Sequence, residues 1–217
     1  LFAMTATLAA HAADLPTPPV AKKIPKVMTK FGDRRVDDYF WLREKDNPEV
    51  LAYLKAENAY TDRVLARTAK FRSSLYKEML ARIKETDEEV PYQQGDYWYY
   101  ARTVAGQQYR ICCRKKGLRG REQVILDLNL LARGKKYLSL GEFDVSPDGK
   151  RLAYSLDETG FREYTLAVKD LETGETLPDR ISKVDSSAWA ADSRTLFYVT
   201  EDAAKRPFRL LRHRLGE

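Results

Sequence analysis

The chain offers only two imidazole groups, those of His11 and His213, for acid–base chemistry near neutral pH. His11 lies in an apolar leading segment, so His213 is the one candidate base. Arg212 and Arg214 flank it in the sequence. However, the sequence assigns it neither a serine or cysteine nucleophile nor a carboxylate that would orient it. We therefore interpret His213 as a strand-edge histidine with a structural or solvent-exposed role.

The only two cysteines, Cys112 and Cys113, are adjacent in the sequence. Neighbouring side chains on a strand point to opposite faces, so a disulfide between these two would be strained. The sequence also offers too few ligands for a typical zinc site, because the chain has two histidines and no second cysteine pair. We expect one thiol to pack inward and the other to lie on the outer face.

The acidic run at residues 87–89 could attract a cation or a basic peptide, although such runs more commonly form solvated loops. The sequence lacks a Gly-x-Ser-x-Gly nucleophile elbow, a phosphate-binding glycine loop, a His-Glu-x-x-His zinc motif and a Cys-x-x-Cys pair. We therefore assign no catalytic, cofactor-binding or metal-ligating residue within these 217 residues.

Composition narrows the class of protein. The 217 residues are 43% hydrophobic and 32% charged, which is typical of a folded globular chain with enough length for a core. The formal charge of +6 comes from Lys and Arg side chains that are scattered among 32 acidic residues, with no long basic block. We therefore expect no nucleic-acid partner.

The N-terminal segment resembles a processing signal. Residues 1–13 contain no charged side chain, and Ala10-His11-Ala12 fits the small-x-small pattern that precedes a signal-peptidase site. The apolar run is too short to span a bilayer, so we expect no membrane partner. We interpret residues 1–13 as the remnant of a secretory signal peptide, which predicts a periplasmic or secreted protein. A gene-prediction artefact is the alternative.

Helices are predicted only in the first part of the chain. The proline-rich, basic stretch at residues 14–35 forbids a continuous helix. Asn47 before Pro48 is a strong start signal, and the apolar residues that follow indicate a helix to about Thr68. Apolar residues at helical spacing predict a second helix over about residues 73–84.

Strand patterns begin near Pro91. A hairpin is predicted around Gly106, between residues 97–100 and residues 109–112. Turn signals and alternating apolar residues predict further strands at residues 123–128, 152–156, 164–169, 186–189, 195–199 and 208–212.

Residues 145–171 and 189–215 are two copies of one pattern, a turn followed by an alternating apolar strand, 44 residues apart. A repeat of about 40–50 residues is the spacing of β-propeller blades, and a closed ring needs about four to eight of them. The sequence thus predicts a mainly β fold with an N-terminal helical segment and an incomplete propeller. The aligned pairs include Asp148 with Asp192, Leu152 with Leu196, Tyr154 with Tyr198, Leu166 with Leu210 and Leu171 with Leu215.

Several segments together resemble the prolyl oligopeptidase family, over residues 17–217. The N-terminal matches are residues 18–23, 32–33 and 37–43. The later matches resemble the oligopeptidase B branch of that family in particular, and they are residues 109–115, 126–129, 143–149, 159–162, 168–171 and 212–216. In combination these motifs are specific.

The resemblance implies a parent enzyme of two domains. An α/β-hydrolase domain carries a Ser-Asp-His triad, a seven-bladed propeller admits only short peptides, and oligopeptidase B relatives cleave after Arg or Lys. Residues 14–85 would form an extension that packs on the hydrolase domain, and that packing would cover the extension's own aromatic cluster at residues 39–42. Residues 86–217 would form the first blades of the propeller.

The resemblance also implies what the chain lacks. The positions that match the triad do not occur in this sequence, so we expect an N-terminal fragment that is inactive alone. Its intramolecular partner would be the C-terminal hydrolase domain, and short basic peptides would be the substrates of the parent enzyme. The alternatives are a stand-alone propeller scaffold and a pseudo-peptidase that has lost its nucleophile. Downstream sequence with or without Gly-x-Ser-x-Gly, then Asp and His, would distinguish them.

Overall fold

The computed structural model describes residues 16–217, so the expected signal-peptide remnant at residues 1–13 lies outside the described residues. The chain divides into two compact units. The first ends at Ile83, and the second comprises Lys84–Glu217. The first unit contains a hairpin and two helices, and the second contains three successive antiparallel sheets.

The first unit begins with a hairpin that the sequence analysis missed. Strands β1 (Lys26–Lys30) and β2 (Asp33–Asp37) pair antiparallel in a continuous register. The two turn residues, Phe31 and Gly32, have φ values of 54° and 81°, as a tight two-residue turn requires. Pro25 is the last proline before this hairpin, so the backbone N–H groups of the residues that follow it can form the hydrogen bonds of a β-ladder.

The start of helix α1 (Pro48–Leu65) is as predicted. The side-chain oxygen of Asn47 accepts a hydrogen bond from the backbone N–H of Glu49 at 2.9 Å, and Pro48 occupies the first helical position. A 3₁₀ turn at Ala66–Thr68 then separates this helix from α2.

Helix α2 (Ala69–Ala81) begins and ends earlier than the predicted range of residues 73–84. No proline or glycine lies between the two helices, so the chain resumes α-helix directly after the 3₁₀ turn. The Thr68 hydroxyl donates to the carbonyl oxygen of Leu65 at 2.8 Å and satisfies one end group of α1.

The aromatic cluster forms a 3₁₀ helix at Phe40–Arg43. Trp41 is buried, and its indole N–H donates to the carbonyl oxygen of Lys22 at 2.8 Å, within the same unit. Tyr39 remains 44% exposed. Part of the cluster is therefore covered by its own unit, and Tyr39 is available to a further surface.

The second unit contains three sheets, each of which runs in chain order. The first sheet contains β3 (Tyr92–Gln94), β4 (Tyr97–Arg102), β5 (Ile111–Lys116) and β6 (Glu122–Asp127), and is followed by the short helix α3 (Leu128–Leu131). The second contains β7 (Ser139–Val145), β8 (Arg151–Asp157), β9 (Thr165–Asp170) and β10 (Thr176–Ser182). The third contains β11 (Val184–Trp189), β12 (Thr195–Glu201) and β13 (Pro207–Arg214). Every pairing is antiparallel between sequence neighbours, which is the topology of propeller blades.

Equivalent turns precede β8 and β12, as the repeat predicts. Asp148 Oδ1 accepts from the backbone N–H of Lys150 at 3.0 Å, and Asp192 Oδ1 accepts from that of Arg194 at 2.9 Å. These aspartates hold the chain in the same tight turn by hydrogen bonding to the backbone two residues on. The repeat in sequence is therefore a repeat in structure.

The two turns also contact each other. The backbone N–H of Asp148 donates to the Ser193 hydroxyl at 3.1 Å, and a guanidinium nitrogen of Arg151 donates to the Ser193 carbonyl oxygen at 3.1 Å. Ser193 has a φ of 55° and takes the place that Gly149, with a φ of 70°, has in the first copy. Its hydroxyl bond helps to hold a backbone conformation that serine rarely adopts.

Two apolar cores lie between successive sheets. The core between the first and second sheets includes Tyr99, Cys112, Leu126, Leu152 and Tyr154, all buried. The core between the second and third sheets includes Ala153, Leu166, Val168, Val184 and Leu196. The central sheet thus buries both of its faces, which is how adjacent propeller blades pack.

The interface between the first and second sheets also holds a charged residue. Arg114 is 3% exposed, with its guanidinium carbon 4.1 Å from the centre of the Tyr97 ring. Its Nε donates to Gln123 Oε1 at 2.7 Å and its Nη1 to the Gly149 carbonyl oxygen at 2.5 Å. These contacts compensate for its burial and tie the two sheets together.

The second unit contains three strands beyond the predicted set, and several predicted strands are longer than expected. The structure adds β3, β7 and β10, and it extends the strand predicted at residues 208–212 to Pro207–Arg214. Strand β10 alternates in exposure but carries few apolar residues, so its sequence pattern is weak. The predicted mainly β fold with a helical N-terminal segment and a partial propeller is confirmed.

Candidate functional site

His213, the one candidate base, lies on β13, an edge strand of the third sheet. Its Nε2 atom is 2.7 Å from Oδ1 of Asp179, which lies on the last strand of the second sheet. The sequence analysis found no carboxylate to assign to this ring, and that view is corrected. Asp179 was missed because it lies 34 residues away along the chain. Within residues 16–217, no hydroxyl or thiol group hydrogen-bonds to the ring, so the contact is a dyad without a nucleophile.

Asp179 is held strongly as a carboxylate. Burial pushes its pKa up, but hydrogen bonds from the Gly216 backbone N–H, at 3.0 Å, and from His213 outweigh burial, so its pKa lies below the usual value. The Asp179 carboxylate therefore contacts both His213 on β13 and Gly216 in the turn that follows β13. Its evident role is to join neighbouring sheets.

A cleft of about 620 Å³ lies beside this dyad. Three guanidinium groups, those of Arg151, Arg194 and Arg214, line it together with the carboxylates of Asp179 and Glu217. Arg151 is within 3.5 Å of an Asp148 oxygen, and Arg214 is within 3.6 Å of a Glu217 oxygen. Because acidic and basic groups are interleaved here, the cleft shows no strong preference for either charge.

The two cysteines lie on opposite faces of β5, and both are buried. Cys112 belongs to the core between the first two sheets, and Cys113 belongs to a small cluster with Tyr100 and Ile111. Cys113 was expected to lie on an outer face if Cys112 packed inward, but Tyr100 and Ile111 cover it. Burial raises the pKa of each thiol to about 11, which makes both poor nucleophiles at neutral pH.

Two residues of the acidic run at residues 87–89 pair with basic residues on or next to β5. Glu88 lies 3.6 Å from Lys115, and Glu89 lies 3.9 Å from Arg110. The Glu89 backbone N–H also donates to the carbonyl oxygen of Ala101 at 2.8 Å. The run is thus an exposed segment that lies along β4, which agrees with the loop interpretation and leaves its charges partly compensated.

Acidic side chains also lie between the first strands of the second and third sheets. The backbone N–H groups of Ser187 and Trp189 on β11 act to lower the pKa of the Glu142 and Asp144 carboxyl groups on β7, respectively. Burial raises the pKa of both carboxyl groups, and the charge of Asp185 adds to this effect at Glu142. Sequence reasoning missed these residues because β7 has no clear strand pattern.

Among residues 16–217 there is no group of three or more His, Cys, Asp or Glu side chains that could hold a metal ion. In that same part, no helix is both long and apolar enough to cross a membrane.

Three consecutive antiparallel sheets, packed face to face with a repeated entrance turn, define part of a β-propeller. The chain belongs to the prolyl oligopeptidase family. Residues 18–217 match the family described as prolyl oligopeptidase, N-terminal beta-propeller domain.

Individual relatives agree with this assignment. The chain is 44% identical over 219 residues to dipeptidyl aminopeptidase BI of Pseudoxanthomonas mexicana, a match that covers 92% of this chain and 30% of the relative. It is 39% identical over 207 residues to Protease 2 of Moraxella lacunata, with 91% and 30% covered. The structure of oligopeptidase B from Leishmania major superposes with a TM-score of 0.85 at 31% identity, over 93% of this chain and 31% of that one. The resemblance to oligopeptidase B is confirmed, and the chain spans about 30% of the length of these curated relatives.

Proposed function

We propose that this chain is the N-terminal and opening propeller portion of a serine oligopeptidase of the oligopeptidase B type. The observation that carries the proposal is the family match over residues 18–217, together with sheets that pack as successive blades. In this proposal a separate α/β-hydrolase domain supplies the Ser-Asp-His triad. Serine attacks the peptide carbonyl with histidine as the base, backbone amides stabilise the oxyanion, and water completes acyl transfer.

The proposed role of the propeller is to select substrates by size. A ring of blades encloses a central channel, and a channel of fixed width admits an extended peptide but excludes a folded protein. The convergence of β7 and β11, with the Trp189 indole N–H donating to the Asp144 carbonyl oxygen at 3.1 Å, supports a wall of this kind.

The proposed substrates are short peptides cut after Arg or Lys. Support comes from the carboxylates of Glu142, Asp144 and Asp185 on the first strands of two sheets, where they would face or adjoin the channel. A wall with negative charge raises the local concentration of basic peptides. The strength of this attraction depends on ionic strength, which gives it an experimental signature.

A second candidate is an exopeptidase that removes dipeptides from a free N-terminus. It is favoured by the 44% identity to a protein named dipeptidyl aminopeptidase BI. Paired substrates separate the two functions. An endopeptidase cleaves an N-acetylated arginyl peptide, whereas a dipeptidyl aminopeptidase requires the free amino group.

We also propose different structural roles for the two parts of the chain. Residues 14–85 would pack on the hydrolase domain, and residues 86–217 would form the first blades. The exposed apolar side chains of α2 and the residues that follow it support such a docking role. They are Phe71, Leu75, Tyr76, Met79 and Ile83, between 42% and 68% exposed.

Two experiments test the proposal. Residues 14–217 expressed alone should not hydrolyse an arginyl model substrate, whereas the full-length protein should, and a serine-directed acylating reagent should abolish that activity. Activity of the short chain that this reagent blocks would contradict the proposal. A periplasmic or secreted location, proposed from residues 1–13, is tested by fractionating cells that express the native gene.

A further inference from the structure

The first strands of successive sheets lie against one another. Gln94 on β3 donates its side-chain N–H to the Val145 carbonyl oxygen on β7 at 3.4 Å. Trp189 on β11 makes the corresponding contact with Asp144 on β7. Sheets that radiate from an axis approach each other most closely at their inner edges, so these strands mark the side of the unit that faces the propeller channel.

A small pocket of about 120 Å³ opens beside these inner strands, between the first and second sheets. Tyr92 on β3 and Tyr99 on β4 are cross-strand neighbours with their rings stacked and their centres 5.7 Å apart. Phe143 on β7 adds a third ring from the opposite sheet. The rest of the lining includes Cys112, and Glu89 and Arg110 as charged residues.

The pocket is open and large enough for the end of a long side chain. A cavity of about 120 Å³ has room for several water molecules or for a small organic group. An ammonium or guanidinium group with its last methylenes fits within that space. Tyr92 is 53% exposed, so a group can reach the rings from outside.

The aromatic faces and the Glu89 carboxylate favour a cation in this pocket, and the Arg110 guanidinium opposes one. The faces of aromatic rings attract positive charge, most strongly where water is partly excluded. Burial raises the pKa of Tyr92, and the nearby groups that raise it further include the carboxylates of Asp144 and Glu89. Arg110 is the one guanidinium in the lining, and its closest approach to Glu89 is a loose 3.9 Å with both side chains about half exposed or more.

We propose that this pocket binds the cationic end of a basic side chain in a peptide that occupies the channel. Tyr92, Tyr99 and Phe143 would surround the cation, and Glu89 would neutralise it. The site would determine specificity at a residue of the peptide remote from the bond that is cut. The identity of the ligand as a substrate rests on the proposed function, whereas binding of the cation does not.

Direct binding tests this site in the full-length protein. The probe is an N-acetylated, C-amidated hexapeptide with one D-arginine, which resists cleavage, and the reference is the same peptide with D-norleucine. Calorimetry should give a Kd for the arginine peptide that rises about threefold to tenfold in Tyr92→Leu and Glu89→Gln. The norleucine peptide should not respond, and Tyr92→Phe should keep the wild-type Kd.

Two further variants separate recognition of charge from disturbed packing. Arg110→Gln should lower the Kd of the arginine peptide because it removes a like charge, an effect that a merely damaged pocket would not produce. Glu175→Gln, at an exposed turn after β9, removes a carboxylate elsewhere and should have no effect. A third peptide with a free N-terminus and D-norleucine shows whether a terminal ammonium group also binds.

The proposal is overturned if Tyr92→Leu and Glu89→Gln leave the arginine peptide unaffected, or if they weaken both peptides equally. It is also overturned if the wild-type protein does not distinguish the two peptides. Absence of peptide hydrolysis with intact, pocket-dependent binding of the arginine peptide would refute the proposed function and leave the site standing.

Discussion

The Nε2 atom of His213 lies 2.7 Å from Oδ1 of Asp179, and this contact joins the third strand of one sheet to the last strand of the sheet before it. Gly216 donates its backbone N–H to the same carboxylate oxygen. A histidine that looked like a candidate base is therefore one half of a contact between blades. Its chemistry is that of a hydrogen-bonded pair, not of a nucleophilic triad.

Asp179→Asn should lower the free energy of unfolding of the full-length protein by about 1–3 kcal/mol at pH 7, because it weakens two hydrogen bonds to a buried charged group. The pKa of Asp179 is lowered in the folded state, so its stabilising effect is present above the unfolded pKa and is lost as pH falls through the folded value. Urea unfolding at pH 7 and below pH 4 should show the difference between wild type and variant shrink at the lower pH. A difference that persists unchanged in acid would contradict this account.

Equivalent leucines in the two repeats differ in exposure. Leu166 is 1% exposed, whereas Leu210, its counterpart, is 71% exposed. If the propeller continues, a further sheet covers Leu210 in the full-length protein. Leu210→Ala should then cost about 2–5 kcal/mol of unfolding free energy there, as Leu166→Ala should. A cost for Leu210→Ala within about 0.5 kcal/mol of zero, the usual effect at a surface position, would show that no blade packs on this face.

Open sheet edges and the uncovered face of β13 predict low solubility and weak folding cooperativity for residues 14–217 alone. Phe208 and Leu210 are exposed on this strand, and its free edge can pair with another chain. We expect aggregation or a broad thermal transition, measured by light scattering and circular dichroism. A sharp, cooperative transition of a monomer would contradict this prediction.

The buried thiols should react slowly in the folded protein. With a pKa of about 11, roughly one thiol in ten thousand is ionised at pH 7, and burial excludes the reagent as well. Labelling of Cys112 and Cys113 with a chromogenic disulfide should be slow in buffer and fast in denaturant. The double variant with serine at both positions provides the blank. Fast labelling of the folded protein at these two sites would contradict their burial.

Local signals in the sequence predicted local structure well. Asn47 and Pro48 define the start of α1 through bonds that span a few residues, and Asp148 and Asp192 define turns through bonds to the backbone two residues on. The hairpin turn at Phe31–Gly32 was missed because phenylalanine is uncommon at a positive φ. The sequence feature that could have indicated this turn is Gly32, which follows Phe31.

Contacts between sheets could not be predicted from the sequence. The Asp179–His213 pair joins residues 34 positions apart, and Arg114 reaches the Gly149 carbonyl across 35 positions. Nothing in composition or spacing marks an arginine as buried, because its burial depends on Tyr97 and Gln123 being placed around it by neighbouring strands. The pocket at Tyr92 and Phe143 likewise exists only after two sheets have packed.

The proposed function makes this chain part of a propeller that admits short basic peptides to a serine peptidase domain. The most direct measurement is the ratio of kcat/KM of the full-length protein for one arginyl sequence presented as a short peptide and within a rigid loop of a folded protein. The account predicts cleavage of the peptide, inhibited by a serine-directed reagent, and no measurable cleavage of the folded protein. Equal cleavage of both, or cleavage of neither, would contradict it.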